Sequence, residues 1–258
     1  MPAHDLPLLI DAARMAGRVA TSFAGKTAKT WHKPDDAGPV TEADLAVNDM
    51  LQTTLRMARP DYGWLSEETE DNTDRLSKDR VFIIDPIDGT RSFVEGSNTW
   101  AHSLAVAENG VITAAAVFLP MRNRLYAAAL GQGATLNGAP LTASTETDMS
   151  ATTVLAARPA MAAALWKSNA EPTFKRSYRP SLAYRLALVG AGRFDAMITL
   201  RRSWEWDIAA GALIVTEAGG RITDQTGGPL IFNNADPRLN GVVAGGHTAQ
   251  LALIDTLA

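Results

Sequence analysis

The sequence predicts an α+β fold, and three observations support that prediction. Apolar residues recur at helical spacing over residues 6–23 and again over 41–57. Residues 100–143 change to short apolar runs separated by turn dipeptides, which is typical of an antiparallel sheet. After a polar stretch at 143–151, strand and helix patterns alternate. We therefore expect an α+β first half and an α/β second half.

The two N-terminal helices are predicted from their apolar faces. The first has a stripe of Leu8, Leu9, Ala12, Met15, Ala16, Val19 and Phe23. The second runs from Thr41 to Met57, and Pro60 lies beyond its end, where it cannot continue a helix. The run at 81–84 is apolar throughout and predicts a buried strand.

The central sheet is predicted as a meander, because Asn109-Gly110 and Asn137-Gly138 are each typical of a two-residue hairpin turn. Its strands are expected at 100–108, 111–118, 124–129 and a short last segment. The later elements are expected to be a helix at 181–189, a strand at 193–199, a helix at 207–218, a strand at 241–245 and a final helix. We expect an N-terminal α+β subdomain over 1–145 and a C-terminal α/β subdomain over 146–258.

The composition narrows the classes of function. A formal net charge of −4 argues against a protein that binds nucleic acid through a broad basic surface. There is no cysteine, and the four histidines show no ligand spacing, so any metal would be held by carboxylates. Carboxylates favour Mg²⁺, Mn²⁺ or Ca²⁺ over zinc. The N-terminus lacks a signal-peptide pattern and no stretch is apolar enough to span a membrane, which predicts a cytoplasmic location.

The most informative segment is Asp-Pro-Ile-Asp-Gly-Thr at 85–90, directly after the predicted strand. Its two carboxylates are three residues apart, Pro86 stiffens the turn between them, and Gly89 lets the backbone approach a ligand. Paired acids beside backbone N–H groups suit a divalent cation and a phosphate. An ordinary turn explains the segment equally well when it is taken alone. The spacing of the acids does not fit a helix–loop–helix calcium site.

Three further acids could complete such a site, and each also has a structural explanation. Glu67 lies in a loop, where the neighbouring Glu68 is expected to be solvated. Asp207 opens a predicted helix, where an Asp caps free N–H groups. Thr41 and Asp44 resemble a capping box, although that motif prefers Glu or Gln at its last position.

Taken together, these segments resemble the inositol monophosphatase family. The resemblance rests on 85–90 after its strand, the upstream acids at 67–68, Trp-Asp-Ile-Ala-Ala-Gly at 206–211 and Glu-Ala-Gly-Gly at 217–220. It covers the chain from about Leu6 to the C-terminus. It implies a layered αβαβα sandwich of the inositol monophosphatase and fructose-1,6-bisphosphatase type. It also implies a homodimer that hydrolyses a small phosphate ester with Mg²⁺-activated water and forms no covalent phosphoenzyme.

The resemblance assigns roles to individual residues. The implied metal ligands are Glu67, Asp85, the carbonyl of Ile87, Asp88 and Asp207, for two Mg²⁺ ions, with a third, weaker ion near Glu67 and Mn²⁺ as a substitute. The implied catalytic residues are Asp44, Thr90 and Glu67, and of these Asp44 and Thr90 match the family pair that orients the attacking water. The implied phosphate-binding residues are Asp88, Gly89, Thr90 and Lys33.

The substrate is specified less clearly. Family members that prefer inositol phosphate carry a Glu at the position of Leu200, whereas two arginines follow here. Segments 64–68 and 205–207 look more like bacterial 3′(2′),5′-bisphosphate nucleotidases of sulfur assimilation. The preferred prediction is therefore hydrolysis of adenosine 3′,5′-bisphosphate to AMP, with inositol 1-phosphate and then histidinol phosphate as alternatives. The expected substrate contacts are Arg201, Arg202, Arg185 and Ser181. An arginine can hold a second phosphate bidentately, and Arg179 is a further candidate for that contact. For each arginine the alternative is a role at the surface or at a subunit interface.

The competing class of protein is a family member without activity that binds metal or nucleotide as a regulator. A decayed enzyme is expected to have lost at least one site residue. This chain retains Asp44, Glu67, Asp85, Asp88, Thr90 and Asp207. The sequence therefore favours a phosphatase.

Overall fold

A computed structural model describes residues 5–23, 28–32 and 38–258. Lys33, a predicted phosphate contact, lies outside the described residues. The helices are α1 (Asp5–Ser22), α2 (Glu42–Ala58), α3 (Thr90–Val94), α4 (Leu182–Gly190), α5 (Glu205–Glu217) and α6 (His247–Thr256). No described helix is both long enough and apolar enough to cross a membrane.

Within the described part of the chain, the strands form two main sheets and two short two-stranded ribbons. In chain order they are β1 (Thr30–His32), β2 (Pro39–Thr41), β3 (Gly63–Ser66), β4 (Arg80–Asp88), β5 (Ala101–Glu108), β6 (Val111–Leu119), β7 (Arg124–Ala129), β8 (Ala134–Leu136), β9 (Ala139–Pro140), β10 (Thr153–Ala156), β11 (Lys175–Ser177), β12 (Ala196–Thr199), β13 (Ser203–Trp204), β14 (Arg221–Thr223), β15 (Arg238–Leu239) and β16 (Val242–Gly245). One sheet runs from β3 to β9 in chain order, with only β3 and β4 parallel. The other has the order β11-β10-β12-β16-β14.

The elements stack in five layers. Helices α1 and α2 pack on one face of the seven-stranded sheet, and α4 and α5 pack on its other face. The five-stranded sheet follows, and α6 packs on its outer face. This arrangement confirms the predicted αβαβα sandwich. The subdomain boundary near residue 145 and the homodimer remain predictions.

Most predicted elements lie where the sequence places them. Asn109 and Gly110 have φ of 50° and 82°, so they form the expected hairpin turn between β5 and β6. Thr41 caps α2: its hydroxyl accepts a hydrogen bond from the N–H of Asp44, while the Asp44 carboxylate accepts one from the N–H of Thr41. The capping box therefore forms with Asp at its last position.

Three predicted boundaries are wrong. The strand expected at 193–199 begins at Ala196, because residues 191–195 form turns after α4. The 85–90 segment does not leave the sheet after 84, because β4 continues to Asp88 and a shift in its pairing with β5 accommodates Pro86, which has no N–H to donate. Helix α5 begins at Glu205, so Asp207 lies within its first turn and does not open it. The earlier start is supported by long-range contacts of Glu205, described below.

Candidate active site

Three carboxylates meet where the end of β4 lies near the start of α5. Asp85, Asp88 and Asp207 each offer a carboxylate oxygen, and these oxygens all lie within 4.8 Å of one another. Asp85 and Asp88 are buried, and Asp207 is half-buried. The structure therefore brings together three of the predicted metal ligands from distant parts of the sequence.

Two sets of contacts fix the start of α5. Ser103 of β5, the register partner of Asp85, donates its hydroxyl to the carbonyl of Trp206 at 2.9 Å. Glu205 is fully buried, and its carboxylate accepts hydrogen bonds from residues 233–234. Neither role is predicted from the sequence, because a Ser in an apolar strand and a Glu at a helix start give no signal of these distant partners.

Asp88 is held by the first turn of α4. Its Oδ2 accepts a hydrogen bond from the Ser181 hydroxyl at 2.7 Å and another from the N–H of Ala183 at 2.6 Å. Ser181 also caps α4, because its Oγ accepts a hydrogen bond from the N–H of Tyr184. The predicted substrate contact Ser181 thus orients an acid of the cluster, and its contact with substrate stays a prediction.

Burial and mutual repulsion raise the pKa values in this cluster. Burial is the main cause that raises the pKa of Asp85 and of Asp207 well above the usual range, and neighbouring carboxylates add to it. Burial also raises the pKa of Asp88 to about 6, although the hydrogen bonds from α4 oppose this. Because a nearby positive charge lowers such pKa values, a cation would allow all three acids to ionise.

The donor set fits a hard divalent cation. Carboxylate oxygens are the ligands that Mg²⁺ takes in proteins. Oδ1 of Asp85 is buried and has no hydrogen-bond partner among the described residues. A buried carboxylate oxygen without a partner is costly unless something else satisfies it, and a bound Mg²⁺ would do so.

Thr90 and Asp44 form a hydrogen-bonded pair beside the cluster. The Thr90 hydroxyl lies 3.2 Å from Oδ1 of Asp44 and 3.2 Å from the carbonyl oxygen of Ile87. Oδ2 of Asp44 accepts hydrogen bonds from the Thr41 hydroxyl at 2.5 Å and the Thr41 N–H at 2.8 Å. Burial raises the pKa of Asp44 to about 6. Glu67, Ile87 and Thr90 line one cavity with the three acids.

This cavity has a volume of about 780 Å³, within the range of small-ligand sites. Gly89 also lines it. Its wall includes the basic residues Arg91, Arg185 and Arg201 and the apolar residues Leu165, Tyr178, Pro180, Leu200 and Trp204. The cavity therefore joins an acidic cluster to basic and aromatic side chains, of which Arg91, Tyr178 and Trp204 were not singled out in the sequence.

The predicted substrate arginines differ in their positions. Arg185 is buried, and its guanidinium lies 4.5 Å from the centre of the Tyr178 ring. Arg201 lines the cavity as well. Arg202 is not among the cavity-lining residues in the described part of the chain, and it forms an ion pair with Asp236 at 2.6 Å. Arg185 and Arg201 therefore line the cavity and Arg202 does not, and a substrate contact of each arginine stays a prediction.

Comparison with known families identifies the chain. The model of the inositol monophosphatase family matches residues 3–256. The chain belongs to this family. It is accordingly a metal-dependent phosphatase, and the family implies Mg²⁺ as its metal.

Named relatives cover several activities. The chain is 34% identical over 233 residues to Nus factor SuhB of Escherichia coli strain K12, covering 86% of each chain. It is 32% identical over 263 residues to an inositol-1-monophosphatase of Mesorhizobium japonicum, covering 96% of this chain and 94% of the relative. It is 31% identical over 236 residues to a histidinol-phosphatase of Chlorobaculum parvum, covering 89% of each. None of these three relatives is named as a bisphosphate nucleotidase, so they do not support the more specific resemblance predicted from the sequence.

Solved structures of the family have the same fold. The SuhB protein of Bartonella henselae superposes with a TM-score of 0.81 at 30% identity over 96% of each chain. An IMPase of Thermotoga maritima superposes with a TM-score of 0.83 at 29% identity over 98% of this chain and 96% of the other.

Proposed function

We propose that this protein is a Mg²⁺-dependent phosphomonoesterase that hydrolyses a small phosphate ester with an activated water. The observation that carries the proposal is the cluster of Asp85, Asp88 and Asp207 in the wall of a ligand-sized cavity. Together with Glu67 and the carbonyl of Ile87, these residues would hold the metal. Bound Mg²⁺ supplies Lewis-acid stabilisation of the phosphoryl oxygens and lowers the pKa of water.

Asp44 and Thr90 are proposed to orient the attacking water. The Thr90 hydroxyl has one proton, and Asp44 Oδ1 and the Ile87 carbonyl are its two acceptors at 3.2 Å. A hydroxyl that donates to Asp44 keeps its lone pairs, and these can accept a hydrogen bond from water. The raised pKa of Asp44, about 6, suits a group that takes up a proton near neutral pH. The N–H groups of Gly89 and Thr90 are proposed to bind the phosphate oxygens.

Inositol 1-phosphate is the first candidate substrate, because a relative that matches nearly the whole chain is an inositol-1-monophosphatase. A 3′(2′),5′-bisphosphate nucleotide is the second candidate. Three features of the cavity favour it: Leu200 stands where an acid would bind sugar hydroxyls, Arg185 and Arg201 can neutralise a second phosphate, and Tyr178 offers an aromatic surface.

A phosphate-release assay tests both the Mg²⁺-dependent hydrolysis and the choice of substrate. The panel contains inositol 1-phosphate, adenosine 3′,5′-bisphosphate, histidinol phosphate and fructose 1,6-bisphosphate, each also with EDTA. We expect release that requires Mg²⁺. A tenfold or larger advantage in kcat/KM, about 1.4 kcal/mol, identifies the preferred substrate. No Mg²⁺-dependent release from any of the four would contradict the proposed function.

A further inference from the structure

Arg75 is a buried arginine whose hydrogen bonds reach a distant segment of the chain. It lies in the 3₁₀ turn Thr73–Ser77, between β3 and β4. Its Nε and Nη2 contact the two carboxylate oxygens of Asp71 at 2.7 and 2.8 Å. Its Nη1 also donates to Oδ1 of Asn233 at 2.6 Å, and Nη2 donates to the carbonyl of Asn234 at 2.9 Å.

Glu205 holds the same two asparagines from the other side. Its Oε2 accepts a hydrogen bond from the N–H of Asn233 at 2.6 Å. Its Oε1 accepts two from Asn234, from the backbone N–H at 2.9 Å and from the side-chain amide at 2.7 Å. Glu205 is 0% exposed, and such a buried carboxylate is stable only when it is hydrogen-bonded in this way.

These contacts form a continuous clamp, which we define as Asp71, Arg75, Asn233, Asn234 and Glu205. At one end of the clamp, Asp71 and Arg75 belong to the connection that begins with Glu67 after β3. At the other end, Glu205 begins α5, two residues before Asp207. The clamp therefore joins the segment of one predicted metal ligand to the helix of another.

We propose that Arg75 and Glu205 are positioning residues that fix Asp207 relative to Glu67 and so preorganise the metal site; this inference rests on the metal-dependent function proposed above. Groups that orient metal ligands through hydrogen bonds contribute about 10- to 100-fold to metal affinity or activity. Arg75 and Glu205 are the buried members of the clamp, and their hydrogen bonds are rigid because breaking one leaves a desolvated charged group without a partner.

The primary test is Glu205→Gln, with Glu217→Gln as its matched control. Both glutamates lie on α5, and Glu217 at the opposite end of the helix accepts hydrogen bonds from the N–H groups of Gly131 and Gly133 at 2.8 and 2.7 Å. Titration calorimetry with Mg²⁺ alone measures the affinity of each metal-free protein. We expect E205Q to weaken Mg²⁺ binding about tenfold or more and E217Q to leave it within twofold of wild type.

A second variant, Asn233→Gly, cuts the clamp at its centre. Asn233 has a φ of 62°, a left-handed conformation that glycine adopts readily, so the backbone should keep its path. The variant loses the side-chain acceptor of Arg75 Nη1 and the side-chain donor to the Arg75 carbonyl, whereas the backbone N–H that binds Glu205 stays. We expect weaker Mg²⁺ binding, and an effect in the E205Q/N233G double variant that is smaller than the sum of the two single effects.

The outcomes separate the clamp from the proposed function. If wild type binds Mg²⁺ and the affinities of both E205Q and N233G are within twofold of the wild-type affinity, the proposed positioning role of the clamp is wrong. This holds even if the melting temperatures of the variants fall. If wild type itself takes up no Mg²⁺, the proposed metal site fails and the clamp with it. Weaker binding in the clamp variants, together with an unchanged E217Q, supports the inference.

Discussion

Only one carboxylate oxygen of Asp88, Oδ2, accepts the hydrogen bonds from the start of α4. This difference between its two oxygens makes the variant Asp88→Asn informative. Because Ser181 and Ala183 both donate to Oδ2, an Asn would turn its carbonyl oxygen to them and leave its amide N–H₂ toward the cluster. We expect kcat to fall about 100-fold or more, the scale of an electrostatic catalytic group. The metal-free variant should be at least as stable as wild type in thermal melts, because one charge leaves a crowded acidic site. Turnover near the wild-type value would contradict the assignment of Asp88 as a metal ligand.

Ser181 has two roles at the start of α4: its hydroxyl caps the helix, and it donates a hydrogen bond to Asp88 of the acid cluster. The variants Ser181→Ala and Ser181→Gly separate these roles. Both remove the donor to Asp88, whereas glycine costs only a few tenths of a kcal/mol at an N-cap and alanine costs about 1 kcal/mol. We expect the two variants to weaken Mg²⁺ binding equally, by about tenfold, while the alanine variant melts at the lower temperature. If KM for the substrate rises and Mg²⁺ affinity is unchanged, Ser181 acts instead through the substrate contact predicted from the sequence.

The elements also show which parts of the fold a sequence can predict. Helix α1 and the hairpin at Asn109-Gly110 depend on local periodicity and turn chemistry, so both were predicted correctly. The extension of β4 through the 85–90 segment depends on pairing with β5, and the start of α5 depends on Glu205 and the 233–234 segment. Such long-range contacts leave no periodic trace in the sequence.

The same contrast between local sequence patterns and long-range contacts applies to the residues of the site. The acids at 85, 88 and 207 were found because the family's motifs contain them, and the structure brings them together. Arg75 and Ser103 were missed, because a lone arginine or serine gives no signal of the distant group that it contacts. Motifs therefore indicate the reacting groups, while the residues that orient those groups emerge only from the packed structure.

The site is built from two adjacent layers of the αβαβα sandwich. Strand β4 of the seven-stranded sheet supplies Asp85 and Asp88, and the helical layer between the sheets supplies Asp207 and the cap that holds Asp88. The layers therefore have to pack correctly before the acids meet. When the layers are packed and no cation is bound, the ionised acids repel one another, and this repulsion opposes the packing.

This arrangement predicts that the stabilising effect of Mg²⁺ depends on pH. The pKa values of Asp44 and Asp88 are raised from 3.8 to about 6 in the metal-free fold, so the stability that their protons provide is present below about pH 4 and is lost as the pH rises through about 6. Mg²⁺ competes with the proton of its proposed ligand Asp88, and its positive charge also lowers the pKa of Asp44 beside the cluster. We expect the difference in Tm between Mg²⁺ and EDTA to be small at about pH 5 and to increase towards about pH 8.

Differential scanning calorimetry at matched ionic strength measures this difference directly. His102, whose pKa burial lowers to about 4, changes stability in the opposite direction: its contribution is present above about pH 6.5 and is lost as the pH falls towards 4. In D88N the Mg²⁺-dependent difference should shrink at every pH. A wild-type difference that is constant from about pH 5 to 8 would show that Mg²⁺ binds somewhere other than at these protonated acids.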